Sequence, residues 1–518
     1  MQSTQQHNYK NPVRYSGVRQ ISLFRINGGI WEFIFVRRPH PTSRLWRGGV
    51  SLTPVAEGLR EVKTKSSEIC SVPRYSLLFL VFSIVLYQQG HGQKAHKKVT
   101  ETRPNIILIM ADDMGYECLG SNGSTSYSTP VLDEMAAQGV RFTNSYSQPL
   151  CTPSRVKIMT GKYNFRNYID FGYLDPKERT FGHLLQEAGY KTLISGKWQL
   201  NGRDGKEPGY TDKNRPYHFG FDEYCLWQIA EKGNRYAHPV IEQNGKRLET
   251  TIDDYGPDIV SNYILDFIDR NHQTPFFVYY PMLLVHSPFN PTPDSPEWKN
   301  PERRLERDTR YFKDMVEYTD KIVGKIRAQL KSKGIAENTL LLFTGDNGTH
   351  TAITSYTQTG AYKGGKGNLK DNGSHVPLVA QWPAGGQRNV VTNTLIEFSD
   401  FVPTFAQAAG LPIPGDTDGQ SFLNVLNGKG HKPRKNVFVH YYPRTKQLNK
   451  NNGCFARTAD YKLYSDGRFF EMATDKWEEN PLDVNTLSKK QEKEYRKLKQ
   501  EMSNKDIWDF DEVRRKTK

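Results

Sequence analysis

Two apolar runs end in oxygen-bearing side chains, and together they restrict the fold more than any other feature. Pro104-Asn105-Ile106-Ile107-Leu108-Ile109-Met110-Ala111 is followed at once by Asp112-Asp113, and Thr339-Leu340-Leu341-Leu342-Phe343-Thr344 by Gly345-Asp346-Asn347-Gly348. Uninterrupted apolar runs of this length suit strands buried on both faces of a parallel sheet. In an open α/β sheet, ligands bind beyond the carboxyl ends of the strands. Adjacent carboxylates repel one another unless a cation neutralises them, and hard divalent ions take oxygen ligands. A turn or helix cap accounts for a single Asp, and an Asx turn for Asn-Gly. Two strand-end oxygen pairs are better explained as ligands of one divalent cation: Asp112, Asp113, Asp346 and Asn347.

The intervening chain alternates in the manner of an α/β domain. Thr129-Pro130 opens a helix that stops at Gly139, and Val140 to Tyr146 reads as a strand leading to Cys151. Phe181 to Gly189 is a short amphipathic helix, and Lys191 to Ser195 a strand with Gly196-Lys197-Trp198-Gln199-Leu200 at its end. Pro275 to Pro281 is a further buried strand that runs out near His286-Ser287-Pro288-Phe289, and Asp314 to Leu330 is a long amphipathic helix. Beyond Asp400 to Thr404 the pattern changes to short strands at Asn436–Tyr441, Cys454–Ala459 and Tyr461–Tyr464, separated by turn residues such as Asp466-Gly467. A charged helix follows from Ser488 to Gln500. The expected architecture is a large, mostly parallel or mixed sheet flanked by helices over residues 100–405. A smaller α+β subdomain with an antiparallel sheet follows over 406–518.

Leu77 to Tyr87 is apolar, with Arg74 before it and Gly90-His91-Gly92 after it. That is the layout of a secretory signal, cut near Gly92 or Gln93. It is too short for a membrane span, which needs ~20 residues. Residues 74–92 are therefore read as a signal peptide, with an uncleaved anchor as the other reading, and the product as secreted or periplasmic. Residues 1–73 are basic and lack periodicity, and are read as a disordered or mis-assigned extension, translation starting near residue 72. They distort the charge: residues 1–92 carry 12 Lys and Arg against 4 Asp and Glu, so only 7 of the formal +15 belongs to the rest. A mild basic surplus suits an acidic substrate. No basic run with interleaved aromatics points to nucleic acid. Five cysteines (Cys70, Cys118, Cys151, Cys225, Cys454) have no C-x-x-C spacing, so no zinc or redox motif is indicated; with Cys70 removed and Cys151 modified three would remain, enough for one disulfide.

Cys151-Thr152-Pro153-Ser154-Arg155 is an odd composition for plain packing. Pro153 suits the first turn of a helix. A helix starting there puts Cys151 at its positive end, where anions are favoured, and Arg155 one turn on, on the same face. With the following Thr160-Gly161, this stretch resembles the signature of the type I sulfatases, whose cysteine becomes formylglycine (3-oxoalanine). Further motifs in family order support the resemblance over roughly residues 104–482, which implies an alkaline-phosphatase-like architecture. Gly196-Lys197-Trp198 matches a motif whose lysine contacts sulfate. His286 matches His-x-Pro-Phe, whose histidine acts as acid or anion ligand. Lys366, in Gly365-Lys366-Gly367, matches a second sulfate-contacting lysine, with Lys363 the less favoured candidate. Two places depart from the pattern. Gln199 stands where many members have a histidine, and an amide cannot shuttle protons as imidazole does. Asp371-Asn372-Gly373-Ser374-His375 is a degenerate form of Glu-Gly-Gly-x-Arg, which implies a different substrate rim.

The resemblance implies sulfate-ester hydrolysis. Cys151, oxidised by a formylglycine-generating or anaerobic sulfatase-maturing enzyme, would act as a hydrated aldehyde, one hydroxyl attacking sulfur and the other expelling sulfate. It implies catalytic roles for Cys151, Arg155 and His286 and substrate binding by Lys197, Lys366 and Gln199. The metal would be held by Asp112, Asp113, Cys151, Asp346 and Asn347, Ca²⁺ in preference to Mg²⁺. A sulfated carbohydrate is the expected substrate. Three alternatives stay open: a phosphate or phosphonate monoester hydrolase of the same superfamily, a sulfamidase, and a non-catalytic polyanion-binding homologue.

Overall fold

The computed structural model describes residues 23–26, 29–32 and 103–505, apart from 204, 206, 230 and 445–450. The signal-peptide reading of 74–92 and most of 1–73 lie outside the described residues. In the N-terminal unit, β1 (Leu23–Ile26) and β2 (Gly29–Glu32) pair antiparallel. The rest belongs to a second compact unit, residues 96–518.

That unit is built on a ten-stranded mixed sheet. Its strands in chain order are β3 (Asn105–Ala111), β4 (Val140–Tyr146), β5 (Lys191–Lys197), β6 (Glu223–Trp227), β7 (Ile241–Gln243), β8 (Lys246–Arg247) and β9 (Phe276–Pro281). Then come β10 (Thr339–Gly345), a separate two-stranded hairpin of β11 (Thr354–Thr357) and β12 (Gly360–Lys363), β13 (Leu378–Gln381) and β14 (Val390–Glu397). The spatial order is β14-β4-β13-β10-β3-β9-β5-β6-β7-β8. The central strands β10, β3, β9, β5 and β6 are all parallel, and β13 and β7 run against them.

The apolar strand sequences follow from burial on both faces. Ile106, Leu108 and Met110 of β3 point into a core shared with helices Cys151–Thr160, Phe181–Glu187 and Phe401–Ala408. Ile107, Ile109 and Ala111 point into the opposite core, under helices Pro130–Ala137, Gly256–Asn271 and Tyr311–Ser332. Side chains alternate across a strand, so a strand covered on both sides must be apolar throughout.

A second, antiparallel sheet comprises β15 (Val437–Tyr441), β16 (Gly453–Arg457), β17 (Tyr461–Tyr464) and β18 (Phe469–Glu471). Its strands are buried on both faces rather than on one. Val437, Val439, Tyr441 and Phe455 meet Tyr146 and Leu395 of the large sheet. Phe438, Ala456, Leu463 and Phe469 pack under Leu498 of the helix Lys489–Ser503. That helix starts with a capping box between Ser488 and Gln491.

Candidate active site

The carboxyl ends of β10, β3, β9 and β5 are neighbours, so residues as far apart as Asp113 and Lys366, 253 positions, meet at one edge of the sheet. Asp112 and Asp113 follow β3, Asp346 and Asn347 follow β10, and all four are fully buried. Asp113 is held at φ 66° and Gln199 at φ 55°, left-handed conformations that cost a non-glycine residue about 1 kcal/mol or more and cluster at functional sites. Gly196 is required before Lys197: at φ 128° any Cβ would meet the Pro281 carbonyl oxygen at 2.0 Å.

Asp112 is ringed by cations. Lys197 Nζ donates to both carboxylate oxygens, at 2.9 and 2.8 Å. Arg235 Nη1 donates to Oδ2 at 3.1 Å, and Arg155 Nη2 lies 3.9 Å from Oδ1. Asp113 accepts from Asn347 Nδ2 at 2.9 Å and Lys366 Nζ at 2.6 Å, and His286 Nε2 stands 3.7 Å away. Asp346 accepts from the Asp113 N–H at 3.0 Å and from Arg155 Nη2 at 3.1 Å, while its carbonyl accepts from Ser154 Oγ.

Burial pushes the carboxyls of Asp112 and Asp113 up, but the cations outweigh it. Asp112 is held well below the usual range by Lys197, Arg155 and Arg235, and Asp113 is lowered by Lys366. At Asp346 burial and the charge of Asp112 prevail, and the carboxyl is pushed up to about 7. Burial pushes the Lys366 ammonium down, and Asp113 and Cys151 more than restore it.

Burial drives His286 down to about 3, against the pull of Asp113, so the ring is neutral. Its Nδ1 faces the Ser287 carbonyl at 2.5 Å, which fixes the ring proton there and leaves Nε2 with a lone pair. In this state His286 can accept a proton or ligate a cation, and it can protonate a leaving group only after it has itself been charged.

Cys151, 2% exposed, opens the helix Cys151–Thr160, whose ten residues are all buried. The Sγ donates to Gln199 Oε1 at 3.4 Å, so the residue at the histidine position contacts the cysteine directly. Arg155, one turn on, also donates to the Lys197 carbonyl at 3.2 Å, tying the helix to the end of β5.

The residues fit a hard divalent ion. The strand-end donors are all oxygen, as such ions prefer. The amide oxygen of Asn347 is buried without a hydrogen-bond partner, a state that costs ~1–3 kcal/mol unless something else fills it. Asp112, Asp113 and His286 each present a ligand atom within 4.8 Å of the others.

Asp112, Asp113, Cys151, Arg155, Lys197, Gln199, His286, Asp346, Asn347 and Lys366 thus meet here, and one residue not named from the sequence joins them. Arg235 binds Asp112 and lies over the Trp227 ring at 4.1 Å, but it comes from an irregular segment with no motif around it. Lys363 is exposed and takes no part in the cluster. Asp371 lies among C-terminal side chains, paired with Arg457 and with Lys462 at 3.4 Å. His375 stacks between Tyr116 and Tyr146, at 4.1 and 5.0 Å. Cys118, Cys151, Cys225 and Cys454 are all free, so no disulfide forms among the described residues.

Comparison with known proteins gives the chain its relatives. A family model described as Sulfatase matches residues 104–411, and one described as N-sulphoglucosamine sulphohydrolase, C-terminal, matches 365–509. Arylsulfatase A of Homo sapiens is 32% identical over 404 residues, 70% of this chain and 74% of its own. N-acetylgalactosamine-6-sulfatase of Mus musculus is 32% identical over 384 residues, 65% of this chain and 68% of its own. The structure of BT4656 in complex with its substrate D-glucosamine-2-N,6-O-disulfate superposes with a TM-score of 0.63 at 22% identity, covering 78% of this chain and 98% of that one.

Proposed function

This chain belongs to the sulfatase family and is a sulfuric ester hydrolase, and from that premise we propose that it removes sulfate from a sulfated carbohydrate at Cys151. The observation that carries this reading is the convergence of three buried carboxylates, Asn347, Arg155, Lys197 and Lys366 on one edge of the sheet beside that cysteine. The named activities of the relatives, on N-acetylgalactosamine 6-sulfate and on a sulfated glucosamine, support the carbohydrate class.

Asp112, Asp113, Asp346 and Asn347, with residue 151, would hold the cation, and the oxygen-rich set favours Ca²⁺ over Mg²⁺, which keeps more of its water. The cation would supply Lewis-acid stabilisation of charge on the sulfuryl oxygens. Formylglycine at position 151, made by a separate maturing enzyme, would supply the nucleophilic hydroxyl. The chain's own residues do the rest. Arg155 fixes the helix against Asp346 and the end of β5, and Lys197 and Lys366 place positive charge where sulfate oxygens gather. Gln199 orients the group on residue 151 through its Oε1. His286 Nε2, on the open side of Asp113 and 20% exposed, takes or returns a proton at the ester oxygen.

The catalytic body is assigned to about 100–405 and the smaller subdomain to 406–518. Among the described residues no helix is long and apolar enough to cross a membrane, and export through the signal at 74–92 is part of the proposal.

The test is turnover by protein whose residue 151 has been converted, as verified by mass. Aryl sulfate should be hydrolysed far faster than aryl phosphate, and Cys151→Ala should abolish turnover while leaving the fold intact. Faster phosphate turnover, or an active variant, overturns the reading. The match of 365–509 to the sulphohydrolase C-terminal model favours one second reading, cleavage of N-sulfate. Glucosamine N-sulfate and glucosamine 6-O-sulfate, compared as substrates, separate the two.

A further inference from the structure

The segment Asp371–His375 departs from the family pattern and plays no part in the cluster around Asp112, yet it lines a cavity of about 350 Å³ of its own. The cavity lies between the β11–β12 hairpin, the end of β4 and the C-terminal subdomain. One wall is a pre-formed stack. Tyr116 and His375 are nearly parallel at 4.1 Å and 14°, Tyr146 follows at 5.0 Å, and the Arg457 guanidinium covers Tyr146 at 4.3 Å. Three of its four layers are pinned from outside: His375 Nε2 by the Thr143 carbonyl at 2.9 Å, Tyr116 OH by Arg141 at 3.3 Å, and Arg457 by Asp371. The facing side is hydroxyl- and amide-bearing, with Thr357, Gln358 and Thr359 from the hairpin turn. Lys476 closes the rim. Its ammonium reaches Thr359 Oγ1 at 3.5 Å and the Trp477 ring at 5.3 Å, and it has no carboxylate partner among the described residues.

We propose that this cavity is a carbohydrate-anchoring site, separate from the catalytic cluster, that holds a further sugar residue of an anionic oligosaccharide. Its volume is at the small end of ligand pockets, enough for one sugar ring. The stacked groups cover one another's faces, so the face of Tyr116 turned away from His375 is the one left for the apolar face of a pyranose, and because the stack is pre-formed little entropy is lost on binding. The hairpin amide and hydroxyls match ring hydroxyls, and the unpaired Lys476 selects a carboxylate- or sulfate-bearing sugar. The hairpin leads directly from Lys363 into Gly364, Gly365 and Lys366, and Lys363 and Asn372 are bonded at 3.0 Å. Tyr362 and Asp371, which line the cavity, flank the loop that presents Lys366 to Asp113. The proposal rests on the sulfated-carbohydrate reading for its ligand class.

Gln358 and Lys476 are exposed and outside the catalytic cluster, so Gln358→Ala with Lys476→Ala leaves fold and chemistry untouched. Turnover of aryl sulfate should be equal in the double variant and the parent, and its absence in both would count against the activity rather than the pocket. The pocket is tested by binding, in a Cys151→Ala background that needs no turnover. Probes are chondroitin 6-sulfate and heparin oligosaccharides of two, four and six sugars. The expected result is at least tenfold tighter binding of the hexasaccharide than the disaccharide in one series, with most of that gain lost in the double variant. A gain that survives the double substitution, or no gain with length in either series, overturns the proposal.

Discussion

Glu117 gives the sharpest test of how burial sets energies in this fold. It follows β3 by a few residues, is 2% exposed, and accepts from Thr349 Oγ1 at 2.5 Å, with Cys118 Sγ at 3.8 Å. No lysine, arginine or histidine forms an ion pair with it among the described residues, and burial pushes its carboxyl from an ordinary 4.5 up to about 6. Because the folded value is the higher one, Glu117 costs nothing below about pH 4.5. The penalty grows as pH rises through 6 and is complete above about 7. At ~1.4 kcal/mol per pH unit, the ionised carboxylate destabilises the fold by about 2 kcal/mol. Glu117→Gln keeps the shape and the bond from Thr349 and removes the charge. With an unfolding entropy of ~2.1 cal/mol/K per residue over residues 103–505, 2 kcal/mol corresponds to about 2–3 °C in melting temperature. Melting curves of both proteins at pH 4.5 and pH 8 should coincide at the lower pH, with the variant 2–3 °C higher at pH 8. Equal shifts at the two pH values, or a less stable variant at pH 8, would refute the reasoning.

Other parts of the structure make equally direct predictions. Lys157 is wholly buried, with Nζ on Glu397 Oε2 at 2.8 Å and on the Phe438 carbonyl at 3.0 Å. Stranding one partner of a buried pair costs ~3–5 kcal/mol, and because Arg434 and Tyr163 also hold Glu397, Lys157→Met should lose about 3 kcal/mol in urea denaturation. Lys157→Met with Glu397→Gln should recover part of it. At Asp371 burial raises the carboxyl, but Arg457 and Lys462 outweigh it and hold it below the usual range. Its stabilisation is therefore present above about pH 4 and lost as pH falls further; Asp371→Asn should be less stable at pH 7 and show a flatter acid limb between pH 4 and 2. Chelation should lower the melting temperature, and Ca²⁺ at about 100 times its Kd should return ~2.7 kcal/mol. Asn347→Ala should lose most of that Ca²⁺-dependent gain, read by calorimetric titration.

The strands and their polar ends were legible because burial on both faces leaves a signature that needs no partner to be recognised. β3 and β10 read as runs of apolar residues closed by Asp112-Asp113 and Asp346-Asn347, and the sheet places them side by side. The start of the cysteine helix was legible from Pro153. Arg235 was not, since its value comes from the loop that folds it over Trp227 and onto Asp112, a long-range contact with no local pattern. Nor was the fate of Asp371 and His375: their partners Tyr116, Tyr146 and the hairpin pair Arg457 and Lys462 come from three separate parts of the chain. Among the short C-terminal strands, β18 escaped notice at three residues, and the burial of both faces depends on a helix and a second sheet that periodicity cannot supply.

The charges explain why one edge of the sheet can serve an anionic ester. Four cationic side chains, Arg155, Lys197, Arg235 and Lys366, face three carboxyl groups, Asp112, Asp113 and Asp346, in a largely buried cluster that is partly open at Lys366. Each cation there has at least one carboxylate within 3.1 Å, which offsets the desolvation that would otherwise forbid burying it. A divalent ion held by those oxygens would compete with Lys197 and Lys366 for them and would leave the site with a surplus of positive charge. That surplus is best met by an anion bearing several acceptor oxygens, placed where the lysines can reach it. Cation loading and sulfate binding would then be coupled through shared carboxylates, and by linkage each would raise the affinity for the other by the same factor.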